Sequence, residues 1–204
     1  MATFGAPVHA YTIYNDLPTW LVALNAYSIT TDSFSNDISS NQSIQLDSGI
    51  TSTNSGPAVL PNPPFNNNSV ASGVYGNAVQ AGAGTASNTI TWAFPGPVVA
   101  FGADFLSANV GALTLNGDFD GLGVQSILVN DSIGGSNGFL GVIGTAPFSS
   151  VSFSNATTTV DSFSMDNASF APVPGPLPAL GATAAFGWSR QLRRRIAGLE
   201  RASR

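Results

Sequence analysis

The rhythm of apolar and polar positions changes twice along this chain. Near the start, Leu17, Trp20, Leu21 and Leu24 recur at i, i+3, i+4 and i+7, the spacing of one face of an α-helix. Asp16 stands where an N-cap carboxylate accepts from first-turn N–H groups. Pro18 is tolerated in that turn, where its missing N–H would have no helical partner. The stripe predicts a short helix that packs its face, Trp20 included, onto a core. From residue 27 to 171 the helical period is gone. Short apolar or alternating runs predict strands over 27–34, 43–46, 69–75, 89–94, 98–106, 112–116, 124–129, 139–143, 150–154, 159–165 and 168–171. Gly, Asn, Pro and Ser separate them. Residues 62–68 read as a loop, and Gly134-Gly135 as a turn. Many short strands without interleaved helices argue an all-β sandwich or barrel rather than an α/β fold.

The third rhythm begins at residue 172. Pro172-Val-Pro-Gly-Pro-Leu-Pro178 suits neither helix nor central strand, because proline lacks the N–H that both require, so it reads as a stiff spacer. Residues 177–189 are uncharged and apolar. As a helix they would reach about 20 Å, short of a hydrocarbon core of about 30 Å. Extension to Leu192, snorkelling of Arg190 and Arg193, and interfacial anchoring by Trp188 would close the gap. Gly181 and Ala185 offer a small face to a second helix. At the other end, Val8 and Ala10 fit the small-residue positions before a signal-peptide cut at Tyr11, so residues 1–10 read as the remnant of an export signal.

Charge sharpens the division. Lysine is absent, and the six arginines are Arg190, Arg193, Arg194, Arg195, Arg201 and Arg204. Residues 1–189 hold ten aspartates and no glutamate, a net −10, while the last fifteen residues carry +5. A body without cations cannot neutralise phosphates, which excludes nucleic acid as a partner. It also has no arginine clamp and no Schiff-base lysine. With no Cys there is no disulfide, thiol nucleophile or thiolate metal site. The one His is His9, within the segment read as a signal remnant.

Val173-Pro174-Gly175-Pro176, the apolar stretch and the arginine stop at Arg190, Arg193, Arg194 and Arg195 together resemble the PEP-CTERM sorting signal of exported bacterial proteins. Gly175 stands where the namesake motif has Glu. The body segments Phe101-Gly-Ala-Asp-Phe105, Asn137-Gly-Phe-Leu-Gly-Val-Ile143, Pro147-Phe-Ser-Ser-Val-Ser-Phe153 and Ser164-Met-Asp-Asn-Ala-Ser-Phe170 are similar to the β-sandwiches that precede such signals. The resemblance implies a jelly-roll-like antiparallel sandwich over 11–171, with the sorting motif in 172–178. A membrane helix with a cytoplasmic basic tail would occupy 179–204. The implied partners are an exosortase-type transpeptidase that removes the tail, the membrane, and a polysaccharide matrix outside the cell.

Two metal candidates and one sugar candidate remain. Asn116-Gly-Asp118-Phe-Asp120-Gly121 matches the opening of a calcium loop, but its twelfth position is Ile127, where an EF-hand requires Glu. The same residues favour an ordinary Asn/Asp/Gly turn. Carbohydrate-binding sandwiches similar to this body hold structural calcium through a last-strand Asp, which makes Asp166, with Asp32, the second candidate. The alternative is an Asp bonded to backbone N–H groups. Trp92 shares a strand face with Ile90 and Phe94 and reads as core, leaving Tyr75 as the exposed aromatic for a sugar. Asp118 and Asp120 form a possible carboxylate pair on one strand face, but sugar hydrolases mostly need a Glu and the body has none. No enzymatic activity and no obligatory cofactor are expected. The expectation is an exported, non-enzymatic surface or matrix protein. The alternative is a carbohydrate-binding module with or without calcium.

Overall fold

A computed structural model describes residues 10–55, 68–80, 88–108, 113–156 and 160–175. Residues 1–173 form one compact unit, and residues 174–204 are assigned to a second. The signal-remnant reading, Pro176, the apolar stretch and all six arginines lie outside the described residues. Among the described residues no helix is long and apolar enough to cross a membrane.

The described residues of the first unit are all-β, with twelve strands in one antiparallel hydrogen-bonded system and two short helices. The strands are β1 (Thr12–Tyr14), β2 (Thr30–Asp32), β3 (Ile38–Asn41), β4 (Ser43–Gln45), β5 (Thr51–Asn54) and β6 (Asn68–Ala71). They continue as β7 (Val74–Gln80), β8 (Ile90–Leu106), β9 (Leu113–Gly117), β10 (Gln125–Leu128), β11 (Gly138–Asn155) and β12 (Val160–Pro172). The helices are α1 (Leu17–Ala23) and α2 (Val129–Ile133).

Three long strands organise the sheet, and each joins two runs that the sequence pattern separates. In β8 the runs meet at Pro95-Gly96-Pro97. In β11 the ladder to β8 shifts register between Ile143 and Phe148. In β12 it shifts between Asp166 and Ser169, where Asn167 takes φ 48°. Bulges of this kind bend a strand without ending it. The two halves therefore serve different neighbours. The first half of β8 lies between β5 and the second half of β11, and its second half lies between β12 and the first half of β11. Trp92 and Phe101 show the consequence. Nine residues of extended strand span about 30 Å, yet these rings are 5.8 Å apart, edge to face. The sheet folds over and faces itself across the core.

That core is aromatic. Trp92, fully buried, meets Tyr75 at 4.9 Å and Phe153 at 5.5 Å, both near perpendicular. Phe94 contacts Phe148 at 6.0 Å and Phe170 at 5.3 Å. A smaller cluster forms on the outer face of the β8–β11 pair under α1, centred on Trp20, Leu24, Ala100, Phe139 and Ala171. Its seat is a glycine notch, because Gly102 and Gly141 are cross-strand partners. A Cβ on Gly141 would stand 2.5 Å from Trp20 Cδ1, so only glycine lets the indole approach.

The helix start matches its sequence signal, since Asp16 accepts from the Thr19 N–H at 2.9 Å and from its hydroxyl at 2.6 Å. These bonds, the hydroxyl first, hold its carboxyl below the ordinary aspartate range. The buried stripe is narrower than its spacing implies, with Trp20 and Leu24 buried but Leu21 40% exposed. Gly134 does not simply turn the chain. It takes φ 73° as the left-handed cap of α2, a five-residue helix that the sequence pattern does not show.

Candidate functional site

Of the sequence-predicted site residues, Asn116, Asp118 and Asp120 fall at the end of β9 and in the turn that leads to β10. Asp118 and Asp120 are in the turn, not on a strand face. Phe119 anchors this turn. It is fully buried, packs at 5.2 Å against Phe148, and its carbonyl accepts from Thr145 N at 2.9 Å in the bend of β11. Its N–H donates to Gln125 Oε1 at 2.7 Å. Asp120 Oδ1 accepts from Leu122 N at 2.9 Å and from the Gln125 amide at 2.6 Å. Asp118 Oδ1 accepts from Gly123 N at 3.1 Å. Gly121 and Gly123 supply the positive φ that the turn requires, 77° and 122°. Asp120 thus closes an Asx turn, and Asp118 ties the end of β9 to Gly123.

Asn116 is spent in the sheet. Its amide nitrogen donates to Ser152 O at 3.2 Å and Ser154 Oγ at 2.9 Å, and its Oδ1 accepts from Ser126 Oγ at 2.6 Å. Asp32 and Asp166 also have separate duties. Asp32, 2% exposed, accepts from Phe34 N at 2.9 Å and Ser48 N at 2.8 Å, tying β2 to the turn before β5. Asp166 accepts from Asn167 N at 2.7 Å and stands opposite Asp104 of β8 in register. Asp104 is held above the ordinary aspartate range, first by partial burial and further by the Asp166 charge, against a lowering bond from Asn167. Among the described residues, no three His, Cys, Asp or Glu side chains are grouped to hold a metal ion.

Tyr75 requires a correction. It is not an exposed platform but a fully buried core residue on β7. Glycine neighbours suggest exposure in sequence, but Gly73 belongs to the tight turn that reverses the chain between β6 and β7. The ring instead enters a buried polar knot. Asn68 Oδ1 accepts from Tyr75 Oη at 2.7 Å, from Ser52 Oγ at 2.7 Å and from Asn77 Nδ2 at 2.6 Å. Asn68 Nδ2 donates to the Gln42 carbonyl at 2.7 Å. Burial pushes the Tyr75 hydroxyl above the ordinary phenol range, although Ser52 and Asn77 oppose the shift. No Phe or Trp is exposed among the described residues, and Trp92 is core as its alternation requires.

The sequence reading missed a polar row across the sheet. Ser43, Thr53, Thr91, Ser152, Asn116 and Ser126 are successive cross-strand partners through β4, β5, β8, β11, β9 and β10. The residues between them, Ile44, Trp92, Phe153, Leu115 and Ile127, are buried. Alternation marks each of these hydroxyls as outward-facing. What the sequence lacks is the register that lines them up. Part of the row lines a cleft of about 360 Å³, together with Asp118, Val124 and Pro147–Ser149.

The other expected site residues sit at the chain's exit from the fold. Val173, Pro174 and Gly175 are exposed, with Val173 N donating to Pro97 O at 3.0 Å. Comparison of the chain with protein-family models, with curated proteins and with solved structures gives no match.

Proposed function

We propose that this chain is the precursor of an exported, non-enzymatic surface or matrix protein, sorted through a PEP-CTERM-type signal. The observation that carries the reading is the order of the C-terminal parts: Pro-rich motif, uncharged apolar stretch, arginine stop. In the positive-inside arrangement Arg190, Arg193, Arg194 and Arg195 stay cytoplasmic and the −10 body stands outside. Two structural features support it. The last strand ends at Pro172, and among the described residues the motif is tied to the sheet only by the Val173 N–H bond to Pro97 O. Val173, Pro174 and Gly175 are exposed, where a processing enzyme of the exosortase type has access. We read the folded-over sheet, with long strands that switch partners at bulges, as a jelly-roll-like sandwich.

Fractionation with one tag in the body and one after Arg204 tests this. The reading expects the body tag outside the inner membrane and the C-terminal tag separated from it. A full-length protein in the cytoplasm carrying both tags overturns it.

A second reading makes the body a polysaccharide-binding module within that matrix. The cleft on the outer face, lined by hydroxyls and one carboxylate, favours it. With Tyr75 buried, such a site works by hydrogen bonding rather than by stacking on an aromatic ring.

A further inference from the structure

We propose that the cleft over β8, β11 and the β9–β10 turn binds a neutral glycan chain, a proposal that rests on the polysaccharide-binding reading above. The cleft carries hydroxyls that make no side-chain hydrogen bond among the described residues: Thr91, Ser150 and Ser152. This contrasts with their neighbours. Ser154 bonds Thr114 at 2.7 Å, and Ser43 bonds Thr53 at 3.0 Å. Thr91 and Ser152 are direct cross-strand partners, and Ser150 lies two residues along the same strand. Their Cβ atoms are therefore about 5 Å apart across the ladder, while Ser150 is about 7 Å along it from Ser152.

The walls complete the chemistry. Asp118 uses one carboxylate oxygen on Gly123 N and has the other for a sugar hydroxyl, since no further side-chain bond is made to it. Val124, 75% exposed, and Pro147 present apolar surface at the cleft. A pyranose ring has both features, a rim of hydroxyls and apolar C–H faces. The volume of 360 Å³ lies at the low end of small-ligand pockets, about 300–1,000 Å³, and suits a short stretch of one chain. Charge selects the class. The body has no Lys or Arg, and the cleft carries a carboxylate, so uronate or sulfate-bearing polymers are repelled.

The test is a glycan array bearing neutral and anionic oligosaccharides, probed with the full chain in detergent micelles. Wild type is compared with the outer-face variant T91V/S152A and with D118N. Retention by neutral glycans only, weakened at least about tenfold in T91V/S152A at unchanged Tm, is the expected result. D118N, which keeps an acceptor, weakens it less. Three results overturn the proposal and are distinguishable. Neutral-glycan binding that the variants leave intact moves the site elsewhere while the polysaccharide-binding reading stands. Binding to anionic glycans alone removes the neutral-glycan assignment and also leaves that reading standing. Binding to no glycan removes that reading as well.

Discussion

Asn68 shows how a single polar side chain can hold a core together. The oxygen and nitrogen of its amide tie β6 to β5, to β7 and to the link between β3 and β4, through Ser52, Tyr75, Asn77 and Gln42. Unpaired buried donors and acceptors are costly, so Asn68→Ala should lower stability by about 2–4 kcal/mol in urea unfolding. Tyr75→Phe, which leaves Asn68 two of its three donors, should cost about 1 kcal/mol. Asp104 is the opposite case. Its carboxyl is raised, so the folded state binds the proton more tightly than the unfolded chain, and stability falls as pH rises from the ordinary aspartate range through the folded value. Asp104→Asn keeps an acceptor for Asn167 and removes the repulsion with Asp166. Its Tm at pH 7 should exceed wild type, and the difference should vanish in acid below that range. At the β9–β10 turn, Asp118 and Asp120 already accept backbone N–H groups. Tm should therefore be the same in millimolar calcium and in chelator, and a calcium-dependent rise would restore the loop as a metal site.

At the level of elements, the glycine pair Gly102 and Gly141 fixes where α1 docks. Gly141→Ala would drive a methyl into Trp20 and Phe139, at 2.5 and 2.8 Å, and should cost about 1–3 kcal/mol. The change should appear in near-ultraviolet dichroism from a displaced Trp20. The helix and its cap were legible in sequence because Asp16, Pro18, Trp20 and Leu24 act within one turn of each other. Strand positions were legible wherever apolar residues alternate, as in Ile90, Trp92 and Phe94. The joins were not. Pro95-Gly96-Pro97 reads as a break, yet the chain bends there and resumes the same strand. Strands β1, β3 and β5 carry too few apolar residues to announce themselves. Thr51–Asn54 is found only through its pairing with β8. The polar row has the same cause, since each hydroxyl is visible in sequence and its neighbours are set by long-range register. Tyr75 was misplaced because local glycines say nothing of what lies above the strand.

For the whole molecule, the charge division is the organising fact. Residues 10–175 contain no Lys or Arg, and the exposed polar residues among those described are mainly Ser, Thr and Asn with scattered Asp. The +5 segment follows the last strand. On the proposed reading the two have different fates: the body acts outside as a −10 domain, and the arginines stop a helix in the membrane and are then lost. The most direct measurement is the intact mass of the protein recovered from outside the cells that make it. The account predicts a shortened chain that contains the body through Val173 and lacks every arginine. Recovery of a chain that still ends at Arg204 would contradict it.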